Sequence, residues 1–197
     1  MCWKMILNRL LKSQELKSTI KAFKNRDVFD IVIYGSVVRG KEDANDIDIA
    51  IIMNRQTSAG EKLEISANLR EKLEIPGMEI DVKAIDIKDL QDPAFIARQP
   101  ILAEGYSLIS EEFLHKIFGF RAYYAFAYSP KSLTYSQKKT LYYALKGRRG
   151  GKGLLQQKGG EQTGACRIRV PIQAAEEFKS IFEQHNAEYR TETEIVF

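Results

Sequence analysis

Cysteine is almost missing from this sequence. Only Cys2 and Cys166 occur in 197 residues. That is too few for a disulfide framework, and neither lies in a CxxC or Cys/His cluster of the kind that holds zinc. Two free thiols in a reducing compartment are the expectation. Histidine is equally scarce, with His115 and His185 alone. His115 falls on an amphipathic stretch and reads as a packed side chain. No run of about 18 apolar residues exists, so a membrane-spanning helix is not expected. The first 24 residues interrupt their apolar positions with Lys and Arg at helical spacing, and no small-residue cleavage site follows. A signal peptide is therefore not expected, and the cytoplasm is the expected location.

Acidic residues are scarce in one region. Residues 131–170 hold ten Lys/Arg and one acid, Glu161, a local charge of +9. The whole chain carries +4, so the remainder is at −5. A basic block on an acidic background suggests an anionic partner, although a solvated loop explains it too. Lys146, Arg148, Arg149 and Lys152 alternate with Gly147, Gly150, Gly151 and Gly153. Those glycines predict a mobile loop that could land an anionic acceptor such as RNA.

With 44% hydrophobic and 28% charged residues, the chain has the composition of an ordinary globular protein with a real core. Ile6, Leu7, Leu10, Leu11, Ile20 and Phe23 share one helical face. Ile31 to Tyr34 reads as a buried strand and Asp46 to Met53 as a second. Glu61 to Leu73 reads as a helix facing inward through Leu63, Leu69 and Leu73, and Pro76-Gly77 ends it. Met78 to Ile85 alternates as a third strand, and Asp89 is expected to cap another helix. After Ser110 the texture changes. Glu111–Tyr128 and Tyr135–Lys146 read as aromatic-rich helices, and 147–164 as a long loop. Cys166–Val170 then reads as a strand, Ile172–Gln184 as a helix, and Ala187–Val196 as a last strand. The expected architecture is α+β: a small mixed sheet with helices on one face over residues 1–110, then a smaller α+β domain over 111–197.

The chemistry concentrates in Tyr34-Gly35-Ser36-Val37-Val38-Arg39-Gly40 and Asn45-Asp46-Ile47-Asp48-Ile49. A strand ending at glycine can turn sharply and bring backbone close to a ligand. Ser36 then offers a hydroxyl and an N–H at a helix start, which suits phosphate oxygens. Arg39 fits either a ligand contact or a structural ion pair. Asp46 and Asp48, two apart on a strand, project from one face with Cα atoms about 6.5 Å apart. Two carboxylates that close favour a hard cation such as Mg²⁺ or Mn²⁺ between them. If the third strand lies beside the second, Asp81 can complete a three-carboxylate site; Glu79 shares its face.

This constellation resembles the nucleotidyltransferase superfamily that includes DNA polymerase beta, most closely its small prokaryotic and archaeal minimal members. Their pattern of Gly-Ser, two residues, Arg-Gly, and then Ser-Asp-Ile-Asp stands here as GSVVRGKEDANDID. Asn45 replaces the usual Ser. By this resemblance Gly35, Ser36 and Arg39 bind the nucleotide, Asp46, Asp48 and Asp81 hold metal, and Asp81 activates the acceptor hydroxyl. The implied reaction moves a nucleoside monophosphate from a triphosphate, ATP being the expected one, to a hydroxyl, with release of pyrophosphate. The alternatives are a non-catalytic nucleic-acid-binding or regulatory module, or an antitoxin-type enzyme that modifies a protein.

Overall fold

The computed structural model describes residues 13–41, 44–73 and 77–196. Ile6, Leu7, Leu10 and Leu11 lie outside these residues. The chain divides into two compact units, the first ending at Phe120 and the second beginning at Arg121.

In the first unit, helix α1 (Gln14–Phe23) is capped by Ser13, whose Oγ accepts the Leu16 N–H at 3.2 Å. Strand β1 (Val28–Tyr34) leads into one helical turn, α2 (Ser36–Arg39), and then β2 (Asp46–Met53). Helix α3 (Ala59–Glu71) starts at a reciprocal capping box between Ser58 and Glu61, and strand β3 (Glu79–Asp86) follows. Helix α4 (Arg98–Glu104), the two-residue β4 (Tyr106–Ser107) and the short α5 (Leu114–Ile117) complete the unit. The sheet order is β3-β2-β1-β4. β1 runs antiparallel to β2 and β4, whereas β2 and β3 run parallel through the α3 crossover. The sheet is thus mixed, as expected.

Helices flank the sheet as expected, and they cover both of its faces rather than one. Val32, Tyr34, Ala50, Ile52 and Ile85 pack with Leu90, Ile101 and Leu114 on one side. The alternate residues Ile31, Ile33, Ile47, Ile49 and Ile51 are also fully buried. α1 and α3 bury Leu16, Ile20 and Leu69, with Leu73 just beyond α3, and Ser66 Oγ accepts the Ala84 N–H at the β3 edge. Leu63, expected inside, is 74% exposed. At 3.6 residues per turn it stands on a different face from Leu69 and Leu73. Asp89 opens only a 3₁₀ turn (Asp89–Gln91); its carboxylate accepts the Asp86 N–H and pairs with Lys62.

The second unit is an antiparallel sheet ordered β6-β7-β5-β8. Its elements are β5 (Arg121–Ser129), α6 (Tyr135–Lys146), α7 (Leu154–Gln157), β6 (Glu161–Gly164), β7 (Arg167–Pro171), α8 (Ala175–Gln184) and β8 (Glu188–Val196). Phe126, Leu141, Leu145, Ile168, Val170, Phe178 and Phe182 form its core. β5 corrects the helix expected over 111–128, of which only α5 is helical. Residues four apart share a face in a helix and in a strand alike, so Phe120, Tyr124 and Tyr128 could not separate the two periods. Pairing with β7 and β8 on its two sides makes it a strand, and the alternate residues Tyr124, Phe126 and Tyr128 face the core.

The 147–164 segment is likewise no featureless loop, since it contains α7 and β6. Gly147 and Gly153 serve close packing. A Cβ on Gly147, which has φ +89°, or on Gly153 would strike backbone of the other glycine. Gly151 N–H also donates to Arg148 O at 3.0 Å, and Gln157 Nε2 to Lys152 O at 2.6 Å. Two backbone segments cross here, which replaces the expected mobile loop with a folded one.

Candidate active site

The first unit gathers the candidate side chains at one end of the sheet, where β1 finishes and where β2 and β3 begin. Strand pairing sets Tyr34 opposite Asp48 and Asp48 beside Asp81, so these three share one row across the sheet. The next row pairs Asp46 with Glu79. Gly35 ends β1 with φ +82° and ψ −147°, a conformation open to glycine. A Cβ on Gly35 would run into the Asp48 carboxylate. The glycine is therefore required twice, by its backbone angles and by the side chain beside it.

α2 follows at once. Its first turn leaves the N–H groups of Ser36 and Val37 without intrahelical acceptors. Ser36 Oγ is buried and has no hydrogen-bond partner. A buried hydroxyl without a partner costs on the order of 1–3 kcal/mol unless a ligand or water completes it. The turn is held from below by Glu104, a buried carboxylate that accepts the Gly35 N–H at 3.2 Å and Arg39 Nη1 at 2.8 Å. Arg39 thus has a structural ion pair in this structure.

Electrostatics single out Asp48. Burial pushes its carboxyl above the usual range, and the charges of Asp46 and Asp81 push it the same way, against a smaller pull from Lys83 and Arg39. Burial raises the neighbouring Tyr34 phenol as well, with the Asp48 charge adding to it. Asp81 lies 2.7 Å from Lys83 Nζ, and this hydrogen bond is the main cause that raises the Lys83 ammonium. Both partners are more than half exposed, and such pairs are worth about 0–1 kcal/mol. A stronger attraction can therefore draw Asp81 away. As it stands, no group of three or more His, Cys, Asp or Glu among the described residues could hold a metal ion.

Three members of this neighbourhood escaped the sequence reading. Lys83 carried a signal, standing two residues from Asp81 on one face of β3; Tyr34 meets Asp48 only through the pairing of β1 with β2. Glu104 carried none, because its role depends on a contact 65 residues or more away. Of the other named residues, His115 is packed, its Nδ1 3.0 Å from Ala103 O and its pKa lowered by burial. Lys146, Arg148, Arg149 and Lys152 belong to the second unit, where Arg148 sits over the Tyr143 ring at 5.3 Å.

The family model described as "Polymerase beta, Nucleotidyltransferase" matches residues 14–113. The chain belongs to this nucleotidyltransferase family. No curated protein and no solved structure matches it. Family membership brings a nucleotidyltransferase type of function, a nucleoside triphosphate as the general substrate and a typical dependence on divalent metal. The residues present suit such an ion. Crowded carboxylates, one of them with a raised pKa, are oxygen ligands whose mutual repulsion a hard cation relieves, and the orphaned Ser36 hydroxyl suits a phosphate oxygen. No helix among the described residues is long and apolar enough to cross a membrane.

Proposed function

We propose that this nucleotidyltransferase moves a nucleoside monophosphate from a triphosphate, with ATP as donor, to a hydroxyl acceptor and releases pyrophosphate. The observation that carries the proposal is the placement of Asp48: beside Asp81, two residues from Asp46, and against the glycine turn that leads into Ser36. Ser36 Oγ and the N–H groups of Ser36 and Val37 bind triphosphate oxygens. Asp46 and Asp48 would hold Mg²⁺ or Mn²⁺, with Asp81 as third carboxylate. When bound, the ion offsets the negative charge of carboxylates and phosphates and stabilises the departing pyrophosphate. Asp81, once released by Lys83, orients the acceptor hydroxyl and takes its proton as the acceptor oxygen bonds to the α-phosphorus and the α–β bridging bond breaks. Glu104 acts at one remove, by fixing Gly35 and Arg39. The first unit is thereby assigned the transfer and the second the acceptor.

The test is direct. The chain is incubated with each of the four α-labelled ribonucleoside triphosphates, Mg²⁺ or Mn²⁺, and RNA or cell extract, and label transfer and pyrophosphate are measured. Asp46→Asn serves as control. Transfer that persists in the control would sink the assignment.

A further inference from the structure

The second unit has a feature that the transfer chemistry does not use. A cleft of about 480 Å³ opens beside α6 and is lined by Tyr135, Lys138, Lys139, Tyr142, Tyr143 and Lys146. These positions fall at i, i+3, i+4, i+7, i+8 and i+11 of one helix, so they share one face. Leu141 and Leu145, which belong to the core, form the apolar floor of the cleft with Ala165 and Cys166, and the phenol rings and ammonium groups of α6 stand at its side. Tyr135 is 80% and Tyr142 58% exposed. Large rings that open to solvent, beside cations, are the opposite of a merely solvated charged face.

Few carboxylates among the described residues stand near these cations. Between Lys131 and Gly160 there are eight basic residues and no acid. Lys158 pairs with Glu177, but Lys138, Lys139 and Lys146 pair with no described carboxylate. Lys139 and Arg148 lie 5.9 and 5.3 Å from the centre of the Tyr143 ring. They thus gather at this ring; Tyr142 meets it edge to face at 6.1 Å yet stays more than half exposed, and Tyr135 is open to solvent.

We propose that this cleft binds single-stranded RNA, with bases stacked on Tyr135 and Tyr142 and phosphates on Lys138, Lys139 and Lys146. An acidic protein would satisfy the lysines and leave the rings wet. A duplex hides its base faces. A single strand presents both ring faces and phosphates, and RNA is the polynucleotide that commonly offers unpaired bases, with 2′-hydroxyls for the tyrosine hydroxyls and ammonium groups to bond. As the identity of the acceptor this rests on the transfer proposal above; as a binding site it stands apart from it.

The experiment uses the full chain in excess chelator and a fluorescein-labelled 12-nucleotide uridine RNA, followed by anisotropy between 50 and 300 mM salt. Binding should weaken with a log–log slope of about −2 for three phosphate contacts. Tyr135→Ala and Tyr142→Ala, both at exposed positions that leave the core intact, should each weaken binding about tenfold at unchanged slope. Lys138→Ala with Lys139→Ala and Lys146→Ala should flatten the slope. Equal affinity for a duplex of the same length, for the matching DNA strand or for an oligoglutamate peptide would overturn the assignment, as would tyrosine variants at wild-type affinity. Asp48→Asn should retain wild-type RNA affinity. RNA binding without any transfer would remove the acceptor role and keep the site; transfer to another hydroxyl without RNA binding would overturn the site and leave the transfer proposal standing.

Discussion

Replacing Asp48 by Asn should stabilise the metal-free protein while it abolishes transfer. The Asp48 carboxylate accepts no hydrogen bond from the described residues, and Asn has nearly the same shape against Gly35, so the substitution removes chiefly a charge. Neighbouring strands lie about 4.8 Å apart, and alternate residues of one strand about 6.5 Å, which sets Asp81 and Asp46 at roughly 6 Å from Asp48. Two unit charges at that distance repel by about 0.7 kcal/mol in water and about 2.8 at an effective dielectric of 20. Asp46 and Asp81 are exposed, and Lys83 and Arg39 pull the other way, so the low end applies. A gain of about 0.5–1 kcal/mol follows at neutral pH, or roughly 1–4 °C in melting temperature. The pH dependence has a definite sign. Burial and like charge raise the folded pKa of Asp48, so the fold binds its proton more tightly than the unfolded chain does. Wild-type stability should therefore fall, relative to the variant, as pH rises from about 4 through the raised value. Thermal melts in chelator from pH 3.5 to 7.5 should show the two proteins together at the acid end and the variant ahead at neutral pH. Adding Mg²⁺ and ATP should reverse the order, because only the wild type gains stability from the ligands. A variant that melts lower at neutral pH without metal, or a gap that ignores pH, would refute the crowded-carboxylate reasoning.

Gly35→Ala should lose about 1–3 kcal/mol from backbone strain alone and should lose triphosphate affinity through displacement of Asp48; urea unfolding and calorimetry read the two losses separately. Glu104→Ala removes the buried acceptor of the Gly35 N–H and of Arg39 Nη1 and should cost about 1–3 kcal/mol, whereas Glu104→Gln, which still accepts a bond, should cost less; denaturant midpoints compare them. Triphosphate binding should require Mg²⁺ or Mn²⁺, since the acids alone repel the ligand, and calorimetry that finds equal affinity in excess chelator would contradict this.

The first unit was largely legible because its signals are local. β1, β2 and β3 show as short apolar or alternating runs, and the Gly35 turn and the two-residue spacing of Asp46 and Asp48 are readable in a dozen residues. What the sequence hid was set by distance. Glu104 reaches Gly35 across the chain, Lys83 takes the Asp81 carboxylate only once the strand has formed, and the second helix layer appears only through near-continuous burial of β1 and β2. β5 was misread for a different reason: tyrosines and phenylalanines spaced by four fit both periods, and alanines between them favour neither. Gly147 and Gly153 after α6 suggest freedom in the sequence, whereas in the fold their lack of a side chain matters more.

The close approach of Gly147 to Gly153 also governs the charges carried there. Arg148, Arg149 and Lys152 ride on a backbone fixed where Gly147 passes Gly153, so the spacing of their Cα atoms is settled when the unit folds. A polyanion that meets them need only restrict side-chain rotamers, and the entropic cost of ordering main chain on association is absent. The same rigidity should slow trypsin at Arg148 and Arg149, despite their exposure, because a protease must draw a cleavage site into an extended form that this backbone crossing does not permit.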